Sequence, residues 1–223
     1  MDTIAASNEE YSTKTYWEKR YASEEGTFDW FKSYADIKDL FHDLIPERSS
    51  RILVLGCGNS TLSDDKMWQD GYRNIVNVDY SGVVIEKMKT KYEDREGMEW
   101  LEMDVRELAF ENDSFDVAID KGLIHLQAND ADGTNPAFAC VGTMDAMMAV
   151  KGDVWNPPPQ VVDDCTKEVD EAIRVLRPGG IFIYLTFGQP HFRKRFLTRD
   201  GATLEIKQLG EAFHYYLYVL RLD

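Results

Sequence analysis

The chain has 223 residues, enough for one α/β domain with a sizeable core, and its 43% apolar and 29% charged residues are ordinary for a soluble globular protein. No apolar run approaches the roughly 18 residues that a membrane span needs, and the polar start of the sequence does not resemble a signal peptide. Three scattered cysteines argue against a disulfide framework, and neither they nor the four histidines have the spacing of a metal site. We therefore expect a cytoplasmic protein without a bound metal.

The formal net charge of -15 restricts the choice of partner. Nucleic acid is a poor candidate, because phosphate binding needs clustered lysine and arginine side chains. A basic protein or a cationic substrate agrees better with an acidic surface. The simpler alternative is that the acidity only keeps the protein in solution, since net charge alone says little about function.

The order of the predicted elements indicates a parallel sheet covered by helices. We interpret residues 1–15 as a disordered lead and residues 16–223 as one domain, since the sequence contains no repeat and no linker. One helix follows Ser81, which can cap it, and a longer amphipathic helix spans about 162–176. Strands are predicted at 51–55, 74–79, 98–103, 115–120, 181–187, 203–209 and 213–222.

A turn with two glycines, Gly56 and Gly58, follows the first strand. Glycine has no Cβ and lets a cofactor lie close to the backbone across the ends of parallel strands. A dinucleotide-binding turn has glycine or alanine at the position that Thr61 occupies here, which weakens the prediction of NAD or FAD. S-adenosylmethionine (SAM) has no pyrophosphate and needs no third glycine, so SAM is the cofactor that we predict. The structural alternative is a plain tight turn.

Aspartates follow the next two strands. Asp79 lies 23 residues after Gly56 and can accept hydrogen bonds from both ribose hydroxyls of a cofactor. Asp104 can accept from an adenine amino group while the backbone N–H of Val105 donates to a ring nitrogen, and Tyr80 or Val105 could pack on the purine. The alternative for Asp79 is a helix cap or a turn, and Asp104 alone is more typical of a turn. Their succession in strand order after Gly56 predicts a nucleoside site.

Asp120 and Lys121 end the fourth strand, where this kind of fold faces the sulfonium and the methyl acceptor. Methyl transfer is an in-line displacement that needs mainly proximity and alignment. We predict that Asp120 is the catalytic residue and orients an acceptor amine, and that the Lys121 backbone holds the methionine part of SAM. The alternative is a surface turn.

Aromatic residues are concentrated before the first strand. Trp17 and Tyr21 are four residues apart and share one face of a helix, and Trp30 belongs to a second group at 28–31. Aromatic faces suit a sulfonium cation. The alternative is that these residues only pack the N-terminal helix against the core.

Taken together, the motifs resemble the eukaryotic methyltransferase-like family of class I SAM-dependent enzymes that includes the lysine methyltransferases of elongation factor 1-alpha, above all its short, single-domain members. They occur in order at 16–21, 28–31, 52–60, 77–81, 103–106, 115–116, 120–122, 175–180 and 189–192.

The resemblance implies an α/β Rossmann-like fold with a seven-stranded, mostly parallel sheet, a reversed C-terminal hairpin and helices on both faces. It also suggests a protein lysine as the methyl acceptor, with elongation factor 1-alpha as the candidate substrate. It implies SAM contacts at Trp17, Tyr21, Trp30, Gly56, Asp79, Tyr80, Asp104, Val105 and Lys121.

One stretch departs from the family pattern. Family members continue from Asp-Lys-Gly into Thr-Leu-Asp-Ala or a close variant, whereas residues 123–142 stand between Gly122 and Thr143 here. Their small and polar composition predicts an inserted loop beside the acceptor pocket. Three alternatives to a protein-lysine methyltransferase therefore stay open: a nucleotide-dependent oxidoreductase, a small-molecule methyltransferase, and a SAM-binding interaction protein whose insertion impairs catalysis.

Overall fold

The computed structural model describes residue 5 and residues 7–24, 34–60, 62–121, 124–126, 138–140, 142–150, 155–210 and 214–223. The strands are β1 Ile52–Leu55, β2 Ile75–Asp79, β3 Met98–Glu102, β4 Phe115–Lys121, β5 Ile124–Leu126, β6 Phe138–Cys140, β7 Leu176–Thr186, β8 Ala202–Leu209 and β9 Tyr215–Leu222. The α-helices are α1 Lys14–Ser23, α2 Tyr34–Leu44, α3 Gly82–Lys91, α4 Thr143–Met147, α5 Pro159–Val175 and α6 Pro190–Leu197.

Seven strands form one sheet in the order β3-β2-β1-β4-β7-β9-β8. The pairs from β3 to β7 are parallel, and β9 runs antiparallel to both β7 and β8. The predicted mixed sheet with a reversed final hairpin is therefore confirmed. No helix within the described ranges is long and apolar enough to cross a membrane.

Helices cover both faces of the sheet, because its central strands are apolar on both sides. In β1 the side chains alternate: Ile52 and Val54 join the core beneath α2 and α3, whereas Leu53 and Leu55 join the core beneath α5. The α5 side chains recur at the 3.6-residue helical period and are buried at each repeat. Because helices bury both faces of the sheet, the central strands are continuous apolar runs in the sequence rather than alternating ones.

A partly buried carboxylate connects α2 to the segment after the glycine turn. This segment is a π-helix, Leu62–Met67, and Asp70 follows it closely. Asp70 accepts hydrogen bonds from the Tyr34 hydroxyl at 2.9 Å and from His42, and it pairs with Lys38 at 2.5 Å. Burial by itself raises the pKa of Asp70, but these donors outweigh burial and hold the pKa below its usual range.

The N-terminal segment differs from the predicted disordered lead over 1–15. Residues Asn8–Ser12 form a 3₁₀-helix, α1 begins at Lys14, and the Tyr11 side chain is buried. The Trp17 indole N–H donates to the Tyr11 carbonyl at 2.7 Å. A polar, acidic composition predicts disorder, but here two aromatic residues provide enough apolar contact to order the segment.

Three other features differ from the local predictions. β7 begins at Leu176, so the Pro-Gly-Gly run predicted to precede the strand lies within it. Ser81 occupies the position before α3, but its side chain makes no capping hydrogen bond. Residues 123–142, predicted to be a loop, contain two short strands, β5 and β6, which pair antiparallel. Most of the remaining insertion lies outside the described residues.

Candidate functional site

A cleft lies at the carboxyl ends of the parallel strands. The sheet order reverses between β1 and β4 at this edge, which is where ligands bind in open α/β sheets. Seven of the residues predicted to bind the cofactor line the cleft: Trp17, Tyr21, Gly56, Asp79, Tyr80, Asp104 and Val105.

Asp79 is a carboxylate held in place at the end of β2. It is 5% exposed, its Oδ2 accepts from the Gly58 N–H at 3.0 Å, and its Oδ1 accepts from the Ser81 N–H at 2.9 Å. Burial raises the pKa of Asp79 to about 6, although these two backbone donors act in the opposite direction. Each oxygen retains acceptor capacity for a further donor from the cleft.

Gly56 brings the glycine turn into contact with α4. Its φ is +56°, and a Cβ added there would lie 1.9 Å from the Thr143 hydroxyl oxygen. A larger residue would thus meet both backbone strain and a direct clash. Because Gly56 has no side chain, the end of β1 can approach the start of α4 closely.

Asp104 is oriented by an arginine two residues later. The Arg106 guanidinium binds it through both oxygens, at 2.9 Å from Nε to Oδ1 and 2.6 Å from Nη2 to Oδ2. Arg106 also pairs with Asp164 of α5 at 3.1 Å. The hydrogen bonds from Arg106 hold the pKa of Asp104 below its usual value, so this carboxylate stays ionised at neutral pH.

The N-terminal aromatics form part of the wall of the cleft. Trp17 and Tyr21 lie with ring centroids 5.5 Å apart, and both are buried. Lys14 fastens one end of α1 to the sheet by pairing with Glu102 at 2.6 Å, and Lys87 of α3 donates to the Glu24 carbonyl at 3.0 Å at the other end. The burial of Tyr21 raises its pKa well above the usual value, so its hydroxyl is protonated.

The other predicted site residues lie elsewhere. Asp120 does not line the cleft: its carboxylate is 1% exposed and accepts from the N–H groups of Thr143 and Met144, both at 3.4 Å. The predicted contact of Asp120 with the acceptor therefore stays a prediction, while its described contacts hold the start of α4. Lys121 is buried outside the cleft lining, and Trp30 lies outside the described residues.

Buried polar and charged side chains of β7 and α6 hold α4 in place. Asp145 accepts from the hydroxyls of Tyr184 at 2.8 Å and Thr186 at 2.6 Å, and it pairs with Arg193 of α6. Glu168 of α5 is fully buried in the same region. Burial, together with the nearby charge of Asp120, raises the pKa of Glu168 well above its usual value.

Sequence reasoning missed part of the cleft. Arg106 and the Thr143-Met-Asp-Ala146 run belong to motifs that the sequence analysis identified. Their place in those motifs could have predicted that they line the cleft. Tyr11 carried no such signal, because its acidic neighbours resemble a disordered tail. The additional lining residues are Tyr11, Ser12, Met103, Arg106, Gly142, Thr143, Ala146 and Met147.

Comparisons with known proteins agree with this geometry. Residues 52–141 match a family described as a methyltransferase domain. The chain is 36% identical to mouse EEF1A lysine methyltransferase 4 over 218 residues, 96% of this chain and 76% of that protein. It is 31% identical to human eEF1A lysine and N-terminal methyltransferase over 95% of this chain but 27% of that longer protein.

A solved structure shows the same fold. The N-methyltransferase NodS from Bradyrhizobium japonicum, in complex with S-adenosyl-L-homocysteine, superposes with a TM-score of 0.58. The alignment covers 92% of this chain and 96% of that chain at 11% identity, a level at which the likeness concerns architecture alone.

The buried Glu168 carboxyl generates a prediction about stability and pH. An unfolded glutamate ionises near pH 4.3, whereas folded Glu168 holds its proton to higher pH, so the folded state binds more protons above about pH 4.3. The contribution of Glu168 to the stability of the wild type should therefore fall as pH rises above that value. Glu168→Gln removes the titration, and its melting temperature should gain on the wild type between pH 5 and pH 8.

Glu171→Gln on the same helix is the matched control. Hydrogen bonds from Arg174 lower the pKa of Glu171, so removing this carboxylate should cost stability at neutral pH and less in acid. Melting curves of the three proteins at several pH values test the pair. Parallel curves for wild type and Glu168→Gln would contradict the expected trend.

Proposed function

The chain belongs to the family of class I SAM-dependent methyltransferases that includes the elongation factor 1-alpha lysine methyltransferases, and we propose that it methylates a lysine side chain of elongation factor 1-alpha. The observation that carries this proposal is the similarity, over nearly the whole chain, to relatives named for that substrate. The net charge of -15 supports a basic protein as the partner. We also propose a cytoplasmic location, which suits an elongation factor as substrate.

The residues of the cleft fit SAM. Buried Asp79 has acceptor capacity for the two hydroxyls of a ribose, and ionised Asp104 with the Val105 N–H offers an acceptor and a donor for adenine. Gly56 leaves the backbone open beside them, and the N-terminal rings supply π faces for a sulfonium. We therefore propose Asp79 for the ribose, Asp104 with Val105 for the adenine, and Trp17 with Tyr21 for the methionine end.

When bound, SAM supplies a methyl group on a positively charged sulfur. An uncharged amine can attack the methyl carbon, with the sulfur as the leaving group. The chain's own residues supply binding, alignment and exclusion of water. Trp17 and Tyr21 of α1 and Thr143, Ala146 and Met147 of α4 all line the cleft. We propose that Asp120 acts on the reaction by holding the start of α4, and that its predicted contact with the acceptor amine needs a movement of that helix.

A labelling experiment tests the proposed function. The purified protein is incubated with tritiated SAM and purified elongation factor 1-alpha, and labelled peptides are identified by mass spectrometry. We expect label on a lysine of the elongation factor, with a rate that falls as salt is raised because exposed charges are screened. A parallel incubation with cell lysate separates the alternatives: label only on small molecules would favour a small-molecule enzyme, and no label would favour an interaction protein.

Asp79 generates a prediction about cofactor affinity. Asp79→Asn keeps the shape of the side chain but loses its charge, so SAM binding should weaken by roughly 1.5–3 kcal/mol, the range for hydrogen bonds to charged groups. Because the pKa of Asp79 is about 6, wild-type affinity should also fall as pH is lowered through 6, whereas the variant should lack this dependence. Calorimetry at several pH values measures both effects.

The control for this measurement is Asp94→Asn, which changes an exposed carboxylate outside the cleft lining. It should bind SAM as the wild type does at every pH. An Asp79→Asn protein with wild-type affinity and a wild-type pH profile would remove Asp79 from the proposed ribose site.

Described residues on the two sides of the insertion contact each other, which generates a prediction about its removal. Asp120 accepts from the Thr143 N–H, and within the insertion Ile124 pairs with Cys140, so we expect that joining Gly122 directly to Thr143 disturbs the surrounding fold little. Closure entropy changes only slowly with loop length. We expect deletion of 123–142 to leave the melting temperature and SAM affinity unchanged or improved and to increase methyl transfer.

A glycine-serine segment of the same length in place of 123–142 is the control. It should behave like the wild type if the insertion merely obstructs the acceptor pocket. Loss of methyl transfer in both proteins, with folding and SAM binding intact, would show instead that 123–142 is a working lid over the cleft.

A further inference from the structure

An arginine in the lining of the cleft connects the proposed adenine site to helix α5. The Oδ1 atom of Asp104 accepts from the backbone N–H of Arg106 and from its Nε, each at 2.9 Å. The Nη2 of Arg106 donates to the other oxygen, Oδ2, at 2.6 Å. The Nη1 of Arg106 lies 3.1 Å from a carboxylate oxygen of Asp164. One planar guanidinium thus binds a carboxylate of the cleft and a carboxylate of α5 at the same time.

These contacts restrict how Asp104 can bind a ligand. A carboxylate oxygen accepts about two hydrogen bonds, and Oδ1 already has two donors. Oδ2 has one close donor, with the Nε at a longer 3.2 Å, so it is the oxygen with capacity for a donor from the cleft. Rotation of the carboxylate would break its bonds to the fork of Arg106. The direction in which Oδ2 can accept is therefore fixed by Arg106.

Arg106 is held in turn by a fixed side chain on α5. The Oδ1 of Asp164 that contacts Arg106 also accepts from the Gln160 side-chain amide at 3.1 Å, and the Asp164 side chain is 17% exposed. The preceding aspartate, Asp163, is exposed and pairs with Lys167 of the same helix at 2.7 Å. Two adjacent aspartates of α5 thus provide a test residue and a matched control.

We propose that Arg106 and Asp164 are positioning residues that align Asp104 with the 6-amino group of the cofactor's adenine. A hydrogen bond from an amino group depends on the direction of the acceptor oxygen. The fork of Arg106 sets that direction, and Asp164 holds the fork. The two residues therefore determine how strongly the site prefers a purine that carries this amino group. This inference rests on the proposed placement of adenine at Asp104.

The test compares two ligands that differ only in the amino group. One is S-adenosylhomocysteine, and the other is its purine riboside analogue, which has hydrogen in place of the 6-amino group. Calorimetry at neutral pH gives the Kd of each ligand, and the ratio of the two Kd values measures the contribution of the amino group. A general change in the shape of the cleft raises both Kd values and leaves their ratio unchanged, whereas loss of the alignment lowers the ratio.

The variants separate the alignment of Asp104 from its charge. In the wild type the amino group should strengthen binding about ten-fold, the size of one hydrogen bond to a charged group. Arg106→Gln and Arg106→Lys should both lower this ratio to about two-fold, because neither side chain has the planar fork. Asp164→Ala should lower the ratio to about five-fold, because Arg106 keeps its bonds to Asp104 but loses its second contact. Asp163→Ala should keep the wild-type ratio.

The outcomes also separate this inference from the proposed function. A wild-type ratio in the Arg106 and Asp164 variants would overturn the alignment, and so would a wild-type ratio in Arg106→Lys alone, since charge would then suffice. A wild-type ratio in Asp104→Ala would remove adenine from Asp104 and overturn both the inference and the proposed adenine site. Ratios that change as expected, without methylation of elongation factor 1-alpha, would support the alignment and overturn the proposed substrate.

Discussion

The reversal of strand order between β1 and β4 is the constraint on which the cleft depends. To one side of β1 the chain continues through β2 and β3, and to the other through β4 and β7, so the loops after β1 and β4 diverge and leave a crevice. Because the strands are parallel, their carboxyl ends bring the glycine turn, Asp79 and Asp104 to the same edge. Residues far apart in the sequence become neighbours through this single feature of topology.

Buried charge fixes the opposite wall. Asp145 lies at the centre of α4, and it is compensated by Arg193 and by two hydroxyl donors, Tyr184 and Thr186. A buried ion pair stabilises a fold only when its remaining hydrogen-bonding capacity is satisfied, and these hydroxyls meet that condition. The Asp145–Arg193 pair connects α4 to α6. The α4 wall of the cofactor cleft is consequently tied to α6 and β7.

The carboxylates near the cleft are of two kinds: some line it, and others are buried behind α4. Asp79 and Asp104 face the cleft with donors that orient them, backbone N–H groups for the first and Arg106 for the second. Asp120 and Glu168 are buried behind α4, away from the cleft. Burial favours the protonated state of Glu168, and Asp120 accepts from backbone N–H groups at the start of α4, so the described contacts of both groups are with the helix packing behind the cleft.

The sequence by itself determined the local features: the apolar strands, the glycine turn, Asp79 and Asp104 after consecutive strands, and the family. These signals are short-range, since burial on both faces produces a continuous apolar run and a turn next to a ligand requires glycine. Only the tertiary structure decided that Tyr11 is buried in the cleft, that Asp120 supports α4 from behind, and that Arg106 pairs with Asp164 of α5. Such contacts join residues far apart in sequence or depend on which face of an element packs inward, and no local pattern specifies either.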